Sequence, residues 1–70
     1  MEYVIRLQWD PEAEVWVALN DYIPLALESD SLDQLVNKVK DAVPELLELN
    51  DLPKPKFLTF FAERREEVLA

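Results

Sequence analysis

Between residues 2 and 9 the chain alternates: Tyr3, Ile5, Leu7 and Trp9 are apolar, Glu2, Arg6 and Gln8 are polar, and only Val4 departs. A period of two over eight residues predicts a β-strand with one buried face. Asp10-Pro11-Glu12-Ala13-Glu14 reads as a turn, with Pro fixing φ and Asp able to accept from the backbone ahead of it. Residues 15–20 predict a second strand. An antiparallel pairing of Trp9 with Val15 sets Leu7 opposite Val17 and Ile5 opposite Leu19, gathering six apolar side chains on one face. Arg6, Gln8, Trp16 and Ala18 then share the other face.

Asn20-Asp21-Tyr22-Ile23-Pro24 predicts a loop and residues 25–28 a short third strand, closed by Ser29-Asp30-Ser31. Ser31 with Gln34 three positions later fits a capping box. From there Leu32, Leu35, Val36, Val39, Ala42, Val43, Leu46 and Leu49 keep a 3.6-residue stripe, the mark of a long amphipathic helix. Pro44 deletes the bond to the Lys40 carbonyl, a loss of about 3 kcal/mol in a helix interior. Because the stripe stays in phase beyond it, the reading is one kinked helix; a break with Pro44 opening a new helix is the alternative. Asn50-Asp51-Leu52-Pro53-Lys54-Pro55 ends the helix. Residues 56–62 predict a fourth strand, with Phe57, Thr59 and Phe61 facing one way and Leu58, Phe60 and Ala62 the other. Apolar side chains on both faces suggest an interior strand or one covered by a partner. Residues 63–70 fit either an extension of that strand or a turn of helix.

The order β-β-β-α-β over residues 1–70 defines one α+β domain: a four-stranded, mostly antiparallel sheet with one long helix on one face. A right-handed crossover through the helix makes the fourth strand parallel to the first.

Composition narrows the function. Seven Lys and Arg stand against 15 Asp and Glu, a formal net charge of −8. Such a chain repels phosphate backbones, so no direct nucleic-acid binding is expected. With no Cys and no His, zinc–thiolate sites, imidazole bases and thiol nucleophiles are excluded. No apolar run reaches the roughly 20 residues that cross a bilayer, and no membrane association is expected. No secretory signal opens the sequence, so the default compartment is the cytoplasm. A domain this small has a thin energetic margin, and without disulfide or metal the remaining support is association, a homodimer or larger. The chain also has no Gly, so its loops are expected to avoid turns that need positive φ.

Asp10, Asp30 and Asp33 fall at turns and at the helix start, where carboxylates cap backbone donors. The centre of the first strand is Ile5-Arg6-Leu7, with no acid for a carboxylate–metal centre. No catalytic residue, no cofactor and no metal is expected. The phenylalanines lack the surrounding cations that single-strand binding requires, so they read as core. Two surfaces remain as candidates for contact with another macromolecule. One is the face bearing Arg6, Gln8, Trp16 and Ala18, since a large aromatic on a polar face is a typical anchor. The other is the acidic outer side of the helix, Asp33, Asp41, Glu45 and Glu48, suited to a basic partner.

The turn at Trp9-Asp10-Pro11-Glu12, the loop Asp21-Tyr22-Ile23-Pro24 and the helix entry Ser29-Asp30-Ser31-Leu32-Asp33-Gln34-Leu35 together resemble the HicB-like antitoxins. Ala42-Val43-Pro44-Glu45-Leu46-Leu47-Glu48-Leu49-Asn50 and the closing Ala62-Glu63-Arg64-Arg65 extend the resemblance over nearly the whole chain. Leu25 stands where that family usually has Gly. The resemblance implies a partial ribonuclease-H-like fold without catalysis, and a partner: a small basic HicA-type toxin that cleaves messenger RNA and is masked by binding. Many relatives append a DNA-binding segment; with only a few residues after the fourth strand, autorepression through DNA is not expected. The competing function is a structural or regulatory homo-oligomer whose partner is an unrelated protein.

Overall fold

The structure is a computed structural model that describes residues 2–69. The elements are β1 (Glu2–Asp10), β2 (Val15–Leu19), β3 (Glu28–Ser29), α1 (Leu32–Leu49) and β4 (Phe57–Glu63). They form one mixed sheet in the order β3-β2-β1-β4. β1 is antiparallel to β2 and parallel to β4, and β2 is antiparallel to β3. The α+β architecture, the element order and the parallel pairing of first and last strands are those expected. α1 covers one face of the sheet. Leu35, Val39, Val43 and Leu47 from the helix meet Tyr3, Ile5, Leu7, Ala18 and Ile23 in a single buried core.

The hairpin register differs from expectation by one residue. Trp9 lies opposite Trp16 and Leu7 opposite Ala18, not opposite Val15 and Val17. The cause is the turn. Asp10 pairs with Val15 at the end of the ladder while its Oδ1 accepts from the backbone N–H groups of Glu12 (3.0 Å) and Ala13 (3.3 Å). Glu14 then closes the loop in the left-handed region at φ 55°. A one-residue slip inverts every side chain of a strand, so Trp16 and Ala18 join the helix-covered face and Val15, Val17 and Leu19 the open one.

Asn20 sets the path after β2. Its amide donates to the Val4 carbonyl (2.7 Å), and its Oδ1 accepts from the N–H groups of Tyr22 and Ile23 (2.8 Å each). That turn drops Ile23 into the core at 1 % exposure. β3 is shorter and later than expected. Residues 25–27 give β2 the bond from the Ala18 N–H to the Leu27 carbonyl (3.1 Å), and Leu25 and Leu27 lean on the core.

α1 begins at Ser31, whose hydroxyl accepts from the Gln34 N–H (3.3 Å), and runs unbroken through Pro44. It ends without Gly. The Leu52 N–H donates to the Leu47 carbonyl (2.9 Å) and the Asp51 N–H to the Glu48 carbonyl (3.3 Å), with Asp51 at φ 52°. This is a Schellman cap with an aspartate at its left-handed position, and the half-buried Leu52 packs against the core beneath it. Positive φ is thus used twice, against the expectation from composition. Beyond the cap, the Tyr3 hydroxyl donates to the Pro53 carbonyl (2.8 Å), fastening the connection to β1.

β4 is an edge strand, not an interior one. Leu58 and Phe60 pack on the core, while Phe57 and Phe61 are 64 % and 61 % exposed on the open face. Residues 64–69 are neither strand nor helix and are exposed throughout; the last residue of the expected tail lies outside the described residues. The longest dimension is 49 Å, against about 30 Å for nine extended residues.

Candidate functional site

The four residues Arg6, Gln8, Trp16 and Ala18 do not form one patch. Arg6 and Gln8 are exposed on the open face of the sheet, and Arg6 pairs with Asp21 at 3.2 Å in a solvent-exposed contact worth about 0–1 kcal/mol. Ala18 is wholly buried under α1, and Trp16 is half-buried against the same core. The register places them there: β2 is apolar on both sides, so side-chain polarity could not choose between two pairings.

What the register creates instead is an aromatic stack at the hairpin end. The rings of Trp9 and Trp16 are 5.5 Å apart at 62°, edge to face. The Arg64 guanidinium, one strand further along, lies 4.0 Å from the centre of the Trp9 ring. β2, β1 and the residue after β4 thereby contribute three neighbouring side chains to one cluster. Arg64 Nε also pairs with Glu66 Oε1 at 2.6 Å. The charged stretch after β4 had given no sign of this, since the stack depends on the parallel β1–β4 register that brings Arg64 level with Trp9.

The open face carries Val4, Val15, Val17, Leu19, Phe57 and Phe61 among Arg6, Gln8, Thr59 and Glu63. Among the described residues no element covers it. Val4, Phe57 and Phe61 are exposed there and Val15, Val17 and Leu19 half-buried; the pairing expected from sequence hid the three β2 residues in the core.

On the opposite side of the molecule, Asp33, Asp41, Glu45 and Glu48 are all exposed along α1. Positions four apart on a helix share a face, so Asp33, Asp41 and Glu45 form one line and Glu48 extends it. Among the described residues none of the four forms a salt bridge. Lys38, within the same helix, sends its ammonium to the Glu28 carbonyl (3.1 Å), away from this line. The stripe therefore keeps its negative field.

A concavity of about 570 Å³ lies between the ends of β1, the Asn20 turn and the Leu52-Pro53 segment. Glu2, Tyr3, Asn20, Asp21 and Tyr22 provide its polar side chains. Among the described residues no three His, Cys, Asp or Glu side chains converge to hold a metal ion, and no buried side-chain nitrogen or oxygen lacks a partner. No helix among the described residues is long and apolar enough to cross a membrane.

The chain belongs to the family described as "Domain of unknown function (DUF1902)", which matches residues 2–70. Among solved structures it is similar to the hypothetical protein TTHA1013 from the extremely thermophilic bacterium Thermus thermophilus. The two are 34 % identical, each is covered over 100 % of its length, and the TM-score is 0.76. No curated protein matches the chain.

Proposed function

We propose that the chain is a HicB-like interaction domain that binds and masks a small basic HicA-type toxin in the cytoplasm, performing no chemical step itself. The observation that carries this reading is the unneutralised acidic line Asp33, Asp41, Glu45 and Glu48 on the outer side of α1. A fixed negative surface on a rigid helix, in a chain of net charge −8, attracts a basic RNA-cleaving protein and orients it on approach. The order of turns and helix entry shared with HicB-like antitoxins supplies the class of partner. Neither Trp16 nor Ala18 takes part, since both belong to the core side of the sheet.

The test is co-expression with the product of an adjacent small basic reading frame. The reading requires that this product arrest growth alone, that the chain relieve the arrest, and that the two purify as a complex. A neighbouring product that neither harms cells nor binds overturns it and leaves the homo-oligomeric scaffold as the better account.

A further inference from the structure

The two edges of the sheet are unlike. β3 consists only of Glu28 and Ser29, and the Lys38 ammonium occupies the Glu28 carbonyl. β4 runs for seven residues, FLTFFAE, with no proline and no lysine. Proteins that remain single blunt such edges by shortness, charge or proline. β3 is blunted; β4 is open, carries two exposed phenylalanines and is followed by exposed residues that touch the body at Arg64.

We propose that β4 pairs antiparallel with β4 of a second copy of this chain, across a two-fold axis through Phe61, joining two sheets into one of eight strands. Among registers centred on Thr59, Phe60 and Phe61, the charges favour the last, and they suit a second copy of the same strand. With the axis at Thr59, Lys54 would oppose Arg64 of the other copy; with the axis at Phe60, Lys56 would oppose Arg64. Both are like-charge contacts of the kind that destabilise a ladder. With the axis at Phe61, Lys56 lies opposite Glu66, Phe57 opposite Arg65, Thr59 opposite Glu63, and Phe61 opposite itself. The Lys56–Glu66 ion pair, the Arg65 cation over the Phe57 ring and the two stacked Phe61 rings are complementary, with Glu66 lying between Lys56 and its own Arg64, while the Thr59 hydroxyl keeps its proton on Glu2 of its own copy. This register draws residues 64–66 into the ladder and continues the open apolar face of one copy into that of the other. The acidic line of α1 stays uncovered, so the pairing is independent of toxin masking.

The chain has no cysteine, which makes engineered cross-linking clean. Sedimentation equilibrium of the full chain at 0.15 M salt, where the Debye length is about 8 Å, should show a dimer at micromolar concentration. Phe61→Cys should form a disulfide-linked dimer under mild oxidation, because directly opposed Cα atoms fall within disulfide reach. Gln8→Cys, exposed mid-face, should stay monomeric on denaturing gels. Lys56→Glu and Glu66→Lys, both at exposed positions, should each weaken dimerisation roughly tenfold, and the double variant should return to within about twofold of the parent. Circular dichroism matching the parent confirms that each variant is folded. A monomeric parent overturns the proposal. So does cross-linking through Gln8→Cys in place of Phe61→Cys, the outcome of sheets stacked face to face, or a double variant no tighter than the singles.

Discussion

Trp9 and Trp16 stand directly opposite each other across the β1–β2 hairpin, 5.5 Å apart and edge to face, on the side of the sheet that α1 covers. This pair identifies the inward face of β2, and the energetics of the hairpin follow from it. Truncating a large half-buried aromatic removes both its burial and its ring partner. Trp16→Ala is expected to lower stability by about 2–3 kcal/mol in urea unfolding. Arg6→Ala and Gln8→Ala, on the open face, should stay within about 0.5 kcal/mol of the parent. A Trp9/Trp16 double-mutant cycle should return a coupling of about 1 kcal/mol. Equal losses at Gln8 and Trp16 would contradict the observed register.

Asp51 holds a left-handed conformation that glycine adopts without steric cost. Asp51→Gly should therefore raise stability by about 0.5–1 kcal/mol, and Asp51→Val should lower it by at least as much, because branching at Cβ worsens the same clash. Thermal melts of the three proteins give the order: Gly above Asp above Val.

Asn20 makes three backbone contacts from one side chain. Asn20→Ala should lose about 2 kcal/mol. Asn20→Asp keeps both accepted bonds but replaces the donation with a repulsive contact between a carboxylate oxygen and the Val4 carbonyl, so it should remain well below the parent. Chemical denaturation of the series measures this.

On the acidic helix face, Asp41→Lys combined with Glu45→Lys should leave stability within about 0.5 kcal/mol, since both side chains are exposed and unpaired. Stopped-flow mixing with a purified HicA-type protein should show association slowed about tenfold at low salt, and the gap should narrow as ionic strength rises. An unchanged rate would move the binding surface off α1.

Where an element has one apolar side, its residues declare its fold. β1 alternates cleanly and α1 carries a single stripe, and both were legible with their facing residues. β2 was legible as a strand but not in its register, because Val15, Val17 and Leu19 are as apolar as Trp16 and Ala18; a turn conformation at Glu14 decided the matter. The same limit applies to β4, whose two phenylalanine-bearing faces suggested burial on both sides. The acidic line of α1 was readable from helical spacing alone. The open face and the Trp16–Trp9–Arg64 cluster were not, since both arise from pairings between segments distant in sequence.

The parallel contact between β1 and β4 joins the two ends of the chain, and the Tyr3 phenol reaches Pro53 from the same side. Contacts of such sequence separation form late, after the loop between them has been ordered. During synthesis the β1–β2 hairpin and α1 can assemble while one flank of β1 still waits for its last neighbour. Until residues 57–63 pair with it, that flank is a temporary sticky site. A truncation that removes β4 should accordingly yield aggregates in place of a smaller folded unit.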